Sequence, residues 1–210
     1  MADLREYVAL NPFRTLGVLA NSTLKQREAS FSRLSAYAHI GKQTTTEFDF
    51  TKLIDLPVDR SENDLKEAQH DLALPKDRLE AAIFWFAAQD DEELLMLRLL
   101  DAPPATYTSH SADYSPSAPV ADALNFFENK NSWSALLNLH TYYSVKGDLH
   151  KAAEYISLIF SDSHRQSFID ALQLQTLRLD EETLILTYFK MLEDFVGFQQ
   201  ALKAFEGLSS

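Results

Sequence analysis

Residues 135–156 read Ala-Leu-Leu-Asn-Leu-His-Thr-Tyr-Tyr-Ser-Val-Lys-Gly-Asp-Leu-His-Lys-Ala-Ala-Glu-Tyr-Ile. Leu136, Leu139 and Tyr143 recur at helical spacing, and Ala152, Tyr155, Ile156 and Ile159 do so after them. Each run therefore predicts a helix with one apolar stripe. Gly147-Asp148 lies between them and predicts a turn, because glycine can end the first helix in the left-handed conformation. The small Ala152 lets the two backbones approach closely. Two such helices cannot bury their faces alone, so segments 121–129, 163–175, 181–195 and 198–205 are expected to be helices that complete a stack.

Upstream, the composition changes. Four of the seven prolines fall between Pro103 and Pro119, and residues 102–120 contain no Lys, Arg or Glu. That stretch predicts a linker or long loop over 101–120, between a helical module at 1–100 and a helical-repeat module at 121–210. In the first module Thr23 and Gln26 form a capping-box pattern, followed by Leu24, Phe31, Leu34 and Ala38, which predicts a helix over 23–38. Residues 44–60 contain Pro57 and little periodicity, and read as an extended loop whose Phe48, Phe50, Leu53, Ile54 and Leu56 pack on something. Ser61 with Asp64 starts another helix carrying Leu65, Ala68 and Leu72. Pro75 suits the first turn of the next, with Leu79, Ala82, Ile83 and Phe86 inward. The acids at 90–93 read as helix-start charge for 94–100. No strand is required, so the fold class is all-α.

Composition removes many functions. The net charge of −12 argues against nucleic acid or anionic lipid as partner. Cysteine is absent, which excludes disulfides, thiolate metal sites and a cysteine nucleophile, and points with the charged N-terminus to a cytoplasmic chain. The five glycines are too dispersed for a phosphate-binding loop. The longest wholly apolar run, 81–88, is too short to span a bilayer. The six histidines show no metal-binding spacing, although His140 and His150 share a helix pair and could approach Glu154. No catalytic residue, cofactor or metal ligand is expected. In the run Phe84-Trp85-Phe86, Trp85 reads as a seam between the modules.

Phe13 with Leu16-Gly17-Val18, Thr23, Phe31, Leu34 and His39, then Glu67-Ala68, Leu72 and Pro75-Lys76-Asp77-Arg78, together resemble a J-domain, the helical module by which co-chaperones recruit a 70-kDa heat-shock chaperone. The resemblance covers about the first ninety residues. It implies a short helix, a helical hairpin and a loop that acts on the partner's ATPase. In the family that loop carries His-Pro-Asp; the register here gives His39-Ile40-Gly41 followed by Lys42. The resemblance therefore implies the fold and a loop without the stiffening proline or the aspartate. J-domains also offer a basic face on the second helix, and Lys25, Arg27, Arg33 and Lys42, with only Glu28, make a basic island here. Arg27 falls on the apolar side and is expected to snorkel or to pair with Asp64 or Asp71.

Residues 135–159 resemble one tetratricopeptide repeat, which implies a protein-binding surface on its first helix at Asn138 and Thr141. That helix lacks the basic residues of a carboxylate clamp, and Asn138 has the alternative of bonding a neighbouring backbone group. The expected function is non-catalytic protein interaction, as a chaperone-associated or scaffold-like adaptor, with Lys25, Arg33, His39, Lys42, Asn138 and Thr141 as partner-binding candidates. Two alternatives stand beside it: a functional J-domain co-chaperone with a variant loop, and an enzyme whose site lies between the modules.

Overall fold

The computed structural model describes residues 4–102 and 118–208. Every regular element among them is a helix, so the fold is all-α. In chain order these are α1 (Leu4–Ala9), α2 (Pro12–Thr15), α3 (Leu24–His39), α4 (Thr51–Ile54), α5 (Glu62–Asp71), α6 (Pro75–Ile83) and α7 (Asp91–Leu100), then α8 (Ala118–Lys130), α9 (Trp133–Lys146), α10 (Leu149–Phe160), α11 (Arg165–Ala171), α12 (Glu181–Val196) and α13 (Phe198–Phe205). Among the described residues no helix is long and apolar enough to cross a membrane. Of the expected linker, residues 103–117 lie outside the described residues.

Local chemistry sets most boundaries. The Thr23 hydroxyl accepts from the Gln26 N–H, while the Gln26 side chain accepts from the Thr23 N–H at 2.7 Å, which starts α3. Ser61 and Asp64 make the same reciprocal pair before α5. Asp90 and Asp180 cap α7 and α12. Pro75 opens α6, where its missing N–H costs no intrahelical bond. Gly147 ends α9 at φ +79°, and the chain returns as α10, so that the rings of Tyr143 and Tyr155 stack 5.7 Å apart. Replacing Thr23 with alanine is expected to destabilise the protein by ~1 kcal/mol, because the exposed cap is lost while the core stays packed. A urea titration with an unchanged slope and a lower midpoint is the expected result.

The buried face of α3 differs from the expected stripe. Leu34 is buried as expected, and Phe31 and Ala38 pack partly buried against the core, but Leu24 is 58% exposed and Arg27 and Ser30 complete the inward face. The reason lies in the loop this helix covers, which presents unpaired carbonyls. Ser30 donates to the Leu16 carbonyl at 2.6 Å, and the Arg27 guanidinium donates to the Ser22 carbonyl rather than to Asp64 or Asp71. Burial lowers the pKa of Arg27, as expected for a cation held by dipoles and not by a carboxylate. The 44–60 segment is also less extended than its sequence suggests, since it contains α4 and buries Phe50, Leu53 and Ile54.

The helices before and after residues 103–117 share one hydrophobic core. Phe84 joins them, with ring centroids 5.6 Å from Tyr7 on one side and 5.2 Å from His140, 5.7 Å from Tyr188 and 6.3 Å from Phe195 on the other. Arg78 donates across the same boundary to the carbonyls of Leu172 and Gln173 at 3.2 and 3.0 Å. Trp85 is not the seam. Its indole N–H donates to the Val18 carbonyl at 2.8 Å and its ring meets Phe50, all within the first half. Helix α6 ends at Ile83, and the two adjacent aromatics beyond it serve different neighbours.

Candidate functional site

Lys25, Arg33, His39 and Lys42 are all exposed, on α3 and the turn that follows it. Lys25 and Arg33 stand eight residues apart, which places them about 80° apart around the helix, two turns along. Of the exposed, small residues Ala29 lies between them and Ser32 and Ala36 share that side of the helix, with the exposed Glu28 at its edge. Lys25 makes no hydrogen bond or ion pair among the described residues, and Arg33 reaches only the Ser30 hydroxyl at 3.5 Å. At the helix end, the Lys42 ammonium sits 5.2 Å above the Tyr37 ring, and Ile40 is 69% exposed. His39 Nδ1 lies 3.0 Å from a Glu62 carboxylate oxygen at the start of α5. Gly41 has φ +67°, with nothing within 4 Å of a side chain built there. A left-handed turn therefore follows His39 and Ile40.

Asn138 and Thr141 are fully buried, so neither presents a side chain to a partner. Asn138 accepts from the Ala87 N–H at 3.0 Å and donates to the Ala87 carbonyl at 2.9 Å, pairing with the backbone as a neighbouring strand would. The Thr141 hydroxyl has no hydrogen-bond partner among the described residues. Helix α9 is buried around nearly its whole circumference, since α1, α8, α10 and α11 all pack on it. The side of α9 that carries Asn138 is covered by the first half of this same chain, where Ala87 pairs with it, and α1 also packs on this helix.

The histidine pair does not converge. His140 is enclosed, with Nδ1 2.9 Å from the Ala152 carbonyl, and burial pushes its pKa down to about 4 against the pull of the Ala152 and Ile83 carbonyls. The exposed His150 faces the Ala204 carbonyl instead, at 3.2 Å. Among the described residues no group of three or more His, Asp or Glu side chains could hold a metal ion.

Two buried charge clusters were not legible from spacing. Glu93, expected as helix-start charge, is fully buried. It accepts from the Ser132 hydroxyl at 2.8 Å, the Ser134 hydroxyl at 2.7 Å and the Gln89 N–H at 2.7 Å, which ties α7 to the start of α9. In the second cluster Arg60 donates to the carboxylate of Asp49, and Arg14 donates to the Asp49 carbonyl at 2.8 Å. The one signal available was Asp49 itself, a charged residue between Phe48 and Phe50. The carboxylates of both clusters are buried and fully engaged, Glu93 by two serine hydroxyls and a backbone N–H and Asp49 by Arg60, so they position loops.

No protein-family model, curated protein or solved structure matches this chain. Function therefore rests on the exposed chemistry. That chemistry is the basic face of α3, ending in a turn with one aromatic and one aliphatic side chain in water.

Proposed function

We propose that this chain is a non-catalytic protein-interaction module, a chaperone-associated adaptor that uses the outer face of α3 and the turn after it. One observation carries the reading: in a chain of net charge −12, Lys25, Arg33 and Lys42 are all exposed, beside the exposed Ile40. Long cations around a strip of small residues suit an acidic protein surface, which they attract over a distance of about one Debye length. The J-like register from Phe13 to Arg78 favours a 70-kDa heat-shock chaperone as that partner. Ile40 and Gly41 supply neither a stiff turn nor a carboxylate, and His39 is held by Glu62. Binding without stimulation of ATP hydrolysis follows.

The test is a steady-state ATPase assay with the 70-kDa chaperone of the same cell, alongside a direct binding measurement. The expected hydrolysis rate stays within about twofold of basal. Affinity should fall about tenfold in Lys25→Glu with Arg33→Glu, and should weaken with added salt. The exposure of His39 favours one second reading, a working co-chaperone with a variant loop. A several-fold stimulation that is lost in His39→Gln would establish that reading and overturn the adaptor.

A further inference from the structure

Ser134, Asn138, His140, Thr141 and Ser144 of α9 are all buried, at 2% exposure or less. Two of them are matched within the chain, Ser134 to the Glu93 carboxylate and Asn138 to the Ala87 backbone. The other three are not. The Thr141 and Ser144 hydroxyls and His140 Nε2 have no hydrogen-bond partner among the described residues, and neither has the hydroxyl of the fully buried Tyr188, whose ring centroid lies 5.2 Å from that of His140. Each buried polar atom without a partner costs stability, so four at one place call for something that pairs with them.

His140 and Ser144 stand four residues apart and Thr141 and Ser144 three, which puts all three within an arc of about 100° on one side of α9. Ser144 and Thr141 thus lie between His140, which meets Phe84, and Asn138, which pairs with Ala87, and that side looks into the junction between the two halves. Neither hydroxyl turns back onto its own helix. Ser157 and Thr187 donate to the carbonyls four residues before them at 2.8 and 2.7 Å, whereas Thr141 and Ser144 make no such bond. The Ala152 carbonyl can only accept, so the neutral His140 ring carries its proton on Nδ1 and offers Nε2 as an acceptor. The Ile83 carbonyl, the other backbone group that acts on this ring, has no proton to give it.

Whatever pairs with this cluster must donate to Nε2 and accept from hydroxyls. It must also be uncharged: burial alone acts on Tyr188, and only burial and carbonyls act on His140, so no charged group is close enough to either to compensate an ion. Water is the small molecule that meets both demands. We propose that the junction is a binding site for internal water, in which at least one molecule donates to His140 Nε2 and accepts from the hydroxyl of Tyr188, Ser144 or Thr141. Buried waters make about three such bonds, a number these four side chains can supply. The two halves are then joined beside Phe84 by a solvent bridge as well as by apolar contact. This site is independent of the α3 surface.

Two measurements on the full chain test the proposal. A high-resolution crystal structure is expected to show an ordered water within hydrogen-bond distance of His140 Nε2 and of at least one of the three hydroxyls. The second measurement is the urea midpoint of Tyr188→Phe and of Thr141→Val, which remove a hydroxyl and keep the shape of the side chain. A hydroxyl that binds water leaves that water short of a partner when it is removed, so the midpoint should fall by about 0.5 M in one or both variants. An unpaired hydroxyl carries only a penalty, and its removal would raise the midpoint. The proposal is overturned if no water bridges Nε2 to a hydroxyl, or if the midpoint holds or rises in both variants.

Discussion

Replacing Asp49 with alanine is expected to destabilise the protein by ~3–5 kcal/mol, the range for removing one partner of a buried ion pair. Asp49 is the carboxylate that faces two enclosed guanidinium groups. Arg60, 4% exposed, donates to it and also to the carbonyls of Thr15 and Thr44 at 2.8 Å and of Arg14 at 3.0 Å. Arg14, fully buried, donates to the carbonyls of Asp49, Ala9 and Leu56 at 2.8, 2.9 and 2.6 Å. Burial pulls the pKa of Arg14 down to about 10, partly offset by Asp49. Without the carboxylate both cations stay buried, with backbone dipoles as their main compensation.

The same residue gives the stability a pH dependence. Burial by itself would raise the Asp49 pKa, but hydrogen bonds from Arg60 and Thr46 outweigh it and the net value lies below the ordinary 3.8. A folded-state pKa below the unfolded one means that the contribution is complete above about pH 4 and is lost as pH falls further, through the folded value. Urea midpoints measured from pH 6 downward should therefore drop more steeply in the wild type than in Asp49→Asn. Parallel curves would assign the acid sensitivity to other carboxylates.

Phe84→Ala is expected to cost a similar ~3–5 kcal/mol, as for other fully buried aromatic truncations. Its distinguishing effect is on cooperativity, because the ring touches Tyr7 in α1 and Tyr188 and Phe195 in α12 at once. The chain has two tryptophans, Trp85 before residues 103–117 and Trp133 after them. In the wild type the fluorescence of each, isolated by a Trp→Phe change at the other, should follow one transition coincident with circular dichroism. In Phe84→Ala both transitions should move down together. Separate midpoints in the wild type would show that the two halves unfold independently despite the shared core.

Features fixed by neighbouring residues were legible in the sequence. Thr23 with Gln26, Ser61 with Asp64, Pro75 and Gly147 mark helix ends through chemistry that acts over three or four residues. What escaped depends on distant partners. The inward turn of Ser30, and the Ser22 carbonyl as the partner of Arg27, follow from a loop that no periodicity reveals. Asn138 satisfies the backbone of Ala87, 51 residues earlier, and the closed Arg14–Asp49–Arg60 cluster joins three segments. Apolar spacing finds one stripe per helix, and α9 is buried all round because the other half of the chain covers what a lone repeat would leave open. Of the partner-binding candidates, those on α3 lie in water and those on α9 do not.

The Phe84 junction also bears on how the chain is made. Its neighbours Tyr188 and Phe195, and the Leu172 and Gln173 carbonyls that receive Arg78, emerge from the ribosome roughly a hundred residues later, a delay of about 5–20 s at ordinary rates of synthesis. During that interval a nascent chain with its first seven helices complete would expose an aromatic side chain and an arginine whose final partners do not yet exist. Ribosome-bound intermediates stalled between residues 102 and 188 are thus the stage of this protein's life most open to capture by holdases or to aggregation.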